Sequence, residues 1–468
     1  MSQVDPNADP NADPDRAGDS PRGEARSDRL PATLTAGERR PLHESADSAA
    51  SAETTVTAAP RAAAPGEGTL ADGLETTLAV AALPVVAVVL LAGQFYLATI
   101  LLVLIAVAAV ALLVRRRRRA VSAPSRGVLV VGNLLVLLLA LSTLLWAGET
   151  YYRFVYDQTD SFSLTLTSQQ FVARHYPANN WGLCDNVDYT GPADPTRRRL
   201  TFLGDSFTVG YGLADIDQRF VNRIRAGRGG EWEIQSFAQI GADSADQLRD
   251  LRYFVDERNV HLDTAVLAYC LNDISDITPQ WQATLERMLQ QYKEELPFPL
   301  DQSYFLNLYY FRLYAARDPA VANYYSDLIE AYDGEIWDVQ AQRLRDFAAF
   351  CREREAGLLV VIFPFLQRLG AEYPFAAAHE KVARLFAEEQ VPTIDLRPLY
   401  ERYDEEELRV SIYDAHPNAF AHQLAAEAIT TLVLENMGPP RTSAPQPAAD
   451  MEAGTGAEAP PGYSAILE

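Results

Sequence analysis

A serine becomes a nucleophile when a base takes its proton, a third group orients that base, and preorganised donors hold the oxyanion that forms. Residues able to fill these roles stand in four places in this chain. The apolar run Leu200-Thr201-Phe202-Leu203 stops at Gly204-Asp205-Ser206, where glycine allows a tight turn and a serine is presented at the end of an expected strand. Ile240-Gly241-Ala242-Asp243-Ser244 follows the next apolar run, with a glycine at which a backbone N–H can approach a ligand unobstructed. Leu271-Asn272-Asp273 follows the very apolar Val266-Leu267-Ala268-Tyr269-Cys270, and the asparagine amide can donate to an oxyanion. Far downstream, Tyr413-Asp414-Ala415-His416-Pro417-Asn418 offers an imidazole base. The tripeptide alone is weak evidence, because Gly18-Asp19-Ser20 repeats it in a polar, proline-rich tail with no strand before it.

The elements that must position these residues alternate. Strands are expected at Arg199 to Leu203, Glu233 to Phe237, Thr264 to Cys270, Leu358 to Phe363 and Pro392 to Leu396. Helices are expected at Gln218 to Arg225, Ala245 to Asn259, Ile336 to Glu355, Ala376 to Glu389 and Ala419 to Leu434. Strands separated by helices imply parallel pairing, hence an α/β fold, a three-layer sandwich around a central parallel sheet. Ligands of such sheets sit at the carboxyl ends of the strands, where the polar motifs fall.

In motif order and spacing, the soluble domain resembles the SGNH hydrolase family, also called GDSL-type esterases. The resemblance implies that Ser206 is the nucleophile and His416 the base. It further implies that the Ser206 backbone N–H, Gly241 and Asn272 form the oxyanion hole, without a cofactor or metal. The segment Asn180-Trp181-Gly182-Leu183-Cys184-Asp185 looks like the lead-in of many bacterial members that carry an N-terminal membrane unit. Two positions depart from the family pattern. The acid commonly stands three residues before the histidine, where this chain has Tyr413; Asp414 is two before. Residues two apart in an extended segment project to one side, so Asp414 is the expected third member, with a backbone carbonyl or another carboxylate such as Asp404 as the alternative. Cys270 stands where the third motif usually has glycine and would narrow the pocket floor.

Other polar residues receive plainer readings. His422 is expected on the surface of the last helix or as a capping group, while His379 and His261 lack partners at metal-ligand spacing and read as structural. Asp205 and Asp273 are expected to organise turns through nearby backbone N–H groups. The three cysteines, Cys184, Cys270 and Cys351, are too few and too irregular for a disulfide framework or a zinc site, and read as buried or half-buried thiols. The tyrosine-rich run Tyr304 to Phe311, with Tyr314, Tyr324 and Tyr325, lies in an insertion before the fourth strand and reads as a helical cap. A net charge of −23 argues against nucleic acid as a partner.

The chain of 468 residues divides into a tail of biased composition (1–73, read as disordered), a transmembrane region (77–147), a soluble domain (150–438) and a second tail (439–468). About three crossings are expected, at 77–93, 95–114 and 127–147, the last two separated by Arg115 to Arg119. Short loops dense in arginine stay cytoplasmic. The N-terminal tail is then cytoplasmic, and the domain after Trp146 lies outside a bacterial inner membrane. Tyr151, Tyr152, Phe154 and Tyr156 suit its interface. The expected function is a membrane-anchored serine esterase acting through an acyl-enzyme on an ester, such as an acyl group on an envelope or exported polysaccharide. Two rivals stand beside it: an O-acyltransferase with the same Ser-His pair, and a non-catalytic envelope scaffold.

Overall fold

A computed structural model describes residues 85–437, apart from 88, 91–93, 120–125, 195, 285–286, 288–295 and 371. Both tails, with the second Gly-Asp-Ser copy, and most of the first expected crossing lie outside the described residues.

Short runs of branched and aromatic residues form five parallel strands: β1 (Arg198–Gly204), β2 (Trp232–Ser236), β3 (Thr264–Cys270), β4 (Gly357–Phe363) and β5 (Thr393–Asp395). Their order in the sheet is β2-β1-β3-β4-β5, a doubly wound arrangement with its switch point between β1 and β3. All seven residues of β3 are buried, as a central strand covered on both faces requires. Amphipathic segments supply the covers. Helices Phe220–Arg228 and Ala419–Asn436 pack against each other on one face, and Ser244–Arg252, Ile336–Glu353 and Ala376–Glu388 lie together on the other. These elements agree with the expected ones to within a few residues, except that the second expected helix is α-helical only to Arg252 and widens into a π turn over Tyr253–Glu257.

An antiparallel hairpin with no counterpart among the expected elements, β6 (Arg409–Ser411) with β7 (Asp414–Pro417), stands just before the last helix. Asn418 secures its exit. The Asn418 side chain accepts the N–H groups of Phe420 and Ala421, capping the helix, while its amide donates to the carbonyls of Glu407 and Arg409.

Two helices, α1 (Phe95–Arg119) and α2 (Arg126–Phe154), are long and apolar enough to cross a membrane, and they are the only two among the described residues. They run antiparallel: Tyr96 meets Thr150 at one end through hydroxyls 3.2 Å apart, and Gly132 faces Leu113 and Arg117 toward the other. Leu134, Leu141 and Leu144 on α2 are more than half exposed, so these helices are not core helices of a soluble domain.

The C-terminal end of α2 is joined to the α/β domain through Glu149, whose side chain is fully buried. Its carboxylate accepts from Arg153 at 2.7 Å, from Ser303 Oγ at 2.7 Å and from the backbone N–H groups of Tyr304 and Phe305 at 3.2 Å. Those amides begin α3 (Tyr304–Ala315), the tyrosine-rich helix, where a negative charge complements the helix dipole. Arg153 also lies 4.5 Å over the Tyr304 ring. Replacing Glu149 with alanine is expected to cost about 2 kcal/mol, the scale of a buried charge-assisted network. Hydrogen exchange over 304–315 should accelerate while exchange in β3 stays unchanged; equal exchange in variant and wild type would show that the contact does not hold α3.

Candidate active site

Strand β1 ends where its neighbours crowd it. A Cβ on Gly204 would stand 2.9 Å from the Ala268 carbonyl of β3, so glycine is the residue that lets the chain turn there. Asp205 then caps the single helical turn Ser206–Val209 by accepting the Phe207 N–H at 2.9 Å, and Ser206 is held at its first position, 7% exposed. Gly210 closes the turn in the left-handed conformation, with φ at +79°.

His416 reaches this serine from β7. Its Nε2 lies 2.8 Å from Ser206 Oγ, and its Nδ1 lies 2.5 Å from Asp414 Oδ1. The extended backbone puts Asp414 and His416 on one side of the strand, as the spacing of two predicts, and Asp414 is fully buried. The Tyr211 ring packs against the imidazole with centroids 4.8 Å apart, and Phe207 adds a second wall at 5.4 Å. Asp404, the alternative acid, instead caps the helical turn Glu405–Leu408.

Two further positions lie at the same sheet edge. Asn272 opens the turn after β3 and donates its amide to Asp205 Oδ2 at 3.0 Å, which fixes the NH₂ side of the amide against the Ser206 turn. Gly241 lies in the loop after β2 with φ at +78°, a conformation that favours glycine. That loop is tied to the end of β1 by the Gln239 N–H, which donates to the Gly204 carbonyl at 3.2 Å.

The electrostatics divide the edge in two. Burial pushes the His416 pKa down, but the charge and hydrogen bond of Asp414, with Asp205 beyond, raise it above the ordinary imidazole value. Burial opposes ionisation of Asp414 too, yet His416 and Thr159 bring it below the usual carboxylate range. Around Asp205 the hydrogen bonds of Asn272 and Phe207 and the charge of His416 offset burial only in part. Burial raises the Asp205 pKa, and burial with the charges of Asp205 and Asp243 raises that of Asp273 well above normal.

Asp273 and His422 depart from the roles expected of them, while His379, His261 and the cysteines keep theirs. Asp273 does not organise its turn through backbone N–H groups; it accepts from the side chains of Ser244 and Gln247, each at 3.1 Å, in a buried network that continues through Gln340 to Tyr269. His422 is not on the helix surface. It is fully buried, stacked on Phe220, and its Nδ1 accepts the Phe220 N–H at 3.2 Å, so it caps the helix that follows β1 rather than its own. The first large residue of a neighbouring helix carries no sequence signal for such a cap. His379 pairs with Asp395 at 2.9 Å, and His261 with Asp263 at 3.1 Å. The three cysteines are free thiols, and burial pushes Cys184 up to about 11 and Cys351 up to about 12. No cluster among the described residues has the composition of a metal site.

Thr159 and Ser161 drew no attention in the sequence, yet both touch the Asp414 segment. Thr159 donates its hydroxyl to Asp414 Oδ2, and Ser161 Oγ accepts the Ala415 N–H at 3.1 Å. They lie 255 and 254 positions from their partners, without a motif to mark them.

Burial, with help from Arg219, Arg223 and His416, lowers the pKa of His422 to about 3, below the 6.5 of free imidazole. Between those values the unfolded chain binds the extra proton, so this group makes stability fall as pH drops from about 6.5 toward 3, by at most about 1.4 kcal/mol per pH unit. His422→Asn, which keeps an acceptor but does not titrate, is expected to flatten the decline between pH 6.5 and pH 4.5 in denaturant melts. Parallel declines in both proteins would contradict the assignment.

No protein-family model matches this chain, and no curated protein is similar to it in sequence. Solved structures are similar in chain course. TesA is 16% identical with a TM-score of 0.29, over 50% of this chain and 98% of its own. The acetyl xylan esterase AlAXEase is 13% identical with a TM-score of 0.30, over 50% of this chain and 99% of its own. Axe2, an acetylxylan esterase from Geobacillus stearothermophilus, is 12% identical with a TM-score of 0.31, over 51% of this chain and 96% of its own.

Proposed function

We propose that this chain is a membrane-anchored serine esterase of the SGNH type. The observation that carries the reading is the continuous set of contacts from Asp414 through His416 to Ser206, at 2.5 and 2.8 Å, at the carboxyl edge of a parallel sheet. His416 Nε2 takes the Ser206 proton as Oγ attacks the ester carbonyl. The resulting oxyanion is held by the backbone N–H groups of Ser206 and Gly241 and by the Asn272 amide, whose second hydrogen is left for it after the bond to Asp205. The imidazolium, stabilised by Asp414, returns the proton to the leaving alcohol. Water activated by the same imidazole then releases the acyl group.

The arrangement of α1 and α2 supports a location. Arg115 to Arg119 and Arg126 gather at one end of the hairpin, while Phe95, Tyr96, Tyr151, Tyr152 and Phe154 gather at the end that meets the α/β domain. Basic residues retained in the cytoplasm and rings at the opposite interface support an outer-side location for the domain. An acyl ester on an envelope or exported carbohydrate is the substrate class that this placement favours.

Hydrolysis of p-nitrophenyl acetate by the full-length protein in detergent tests the reading. Ser206→Ala and His416→Ala should each lower kcat by about a thousandfold or more, and Asp414→Asn by a smaller but large factor. Because Asp414 raises the His416 pKa, kcat/KM should fall on the acid side at a pH above the 6.5 of free imidazole. Full activity of Ser206→Ala would end the proposal.

A further inference from the structure

The segment that leaves α2 runs directly past the acid of the site. Thr159 is fully buried, and its hydroxyl is the donor to the Asp414 oxygen that His416 does not use. Ser161 pairs its backbone N–H with the Tyr413 carbonyl at 3.1 Å and takes the Ala415 N–H on its hydroxyl at 3.1 Å, so it grips the backbone on both sides of Asp414. Asp160, between them, is held by Arg312 of α3 at 3.1 Å, and Arg312 lies 3.6 Å over the Tyr413 ring. The stem is therefore clamped from two sides against the turn that carries the acid.

We infer that Thr159 is a positioning residue for the proposed reaction: the stem leaving the apolar hairpin supplies the hydroxyl that sets the orientation of Asp414, and through it that of His416. This rests on the Ser206-His416-Asp414 reading above. A carboxylate bound at one oxygen is free to rotate about its Cβ–Cγ bond, whereas donors at both oxygens fix its plane, and the imidazole takes its direction from that plane. The residue needed is small, hydroxylated and buried; threonine meets all three conditions, and its β-branching gives a stiff χ1 that aims the hydroxyl.

The charged and titratable groups facing this pair come from every surrounding element. They are Asp205 after β1, Tyr211 and Tyr176, Asp160 in the stem, Arg312 on α3 and His422 on the last helix. None of them replaces the donor at Asp414 Oδ2. Removing it leaves the carboxylate more basic toward His416, so the imidazole should protonate at higher pH.

The test uses full-length protein in detergent and reads the rate at which a fluorophosphonate labels Ser206, from pH 5 to pH 9. Thr159→Val, nearly the same in shape, is expected to label about tenfold more slowly at the optimum, with its acid limb moved to higher pH and its melting cooperative. Thr159→Ser should restore both rate and limb. A Thr159→Val profile that superimposes on wild type, or a Thr159→Ser variant as impaired as Thr159→Val, would overturn the inference. Asp414→Asn run beside them separates the two levels: if that variant labels as fast as wild type, the acid assignment itself fails and the inference falls with it. If it is slow while Thr159→Val is normal, only the role of Thr159 is lost.

Discussion

A carboxylate without contact with solvent keeps its charge only where donors and a counter-charge replace the water it has lost. Asp414 is in that position, and much of the local architecture follows from supplying its needs. One oxygen faces the His416 ring and backbone N–H, and the other takes the Thr159 hydroxyl. Space around it is also restricted: a Cβ on Gly212, where φ is +90°, would come 3.2 Å from Asp414 Oδ2 and 2.6 Å from Val410. A glycine in the turn after β1, a hairpin before the last helix and a stem preceding the whole domain therefore meet at one acid. None of the three is adjacent to another in the chain, and each would be under different constraints if the acid stood elsewhere.

The same sheet edge holds a second set of carboxylates with the opposite tendency. Asp414 has an imidazole at 2.5 Å and ionises readily, whereas Asp205 and Asp273 are buried among amides and hydroxyls and resist ionisation. Such opposed environments separate an acid held toward its charged form from acids, disfavoured as charges by burial, whose role is scaffolding. Asp205 does the scaffolding through Asn272, whose amide it orients, and Asp273 does it through Ser244 and Gln247.

The sequence made the sheet and the Ser206, His416 and Asn272 segments legible because each rests on a local pattern. The apolar runs have strand length, the polar residues fall at their ends, and amphipathic stretches intervene. Asp414 was legible through alternation, since a spacing of two in an extended segment admits only one face. Tertiary partners were not legible. His422 looked like a helix-surface residue because its helix gives no sign that Phe220, 202 positions earlier, would bring an N–H against it. Thr159 stands in no motif, and Asp273 looked like an ordinary turn acid, for the same reason: the partner that gives each its role is remote in the chain.

The join between the apolar hairpin and the α/β domain bears on how the site is placed. A flexible linker would let the domain drift from the end of α2 by a distance growing with the square root of its length. Here the chain passes from Glu149 to Asp160 with side chains engaged at both ends, Glu149 at the start of α3 and Asp160 on Arg312 about two turns further along α3. Two contacts to the same helix fix a direction as well as a distance between the end of α2 and α3. With Tyr309 and Leu313 exposed on α3, and Tyr151 and Phe154 exposed on α2, the apolar surface continues from the hairpin onto the domain. For a hairpin set in a bilayer, that continuity would seat the domain against the interface, because these rings and aliphatic chains have a lower free energy there than in water. The position of Ser206 relative to the surface would then be set by packing between helices, independent of linker length.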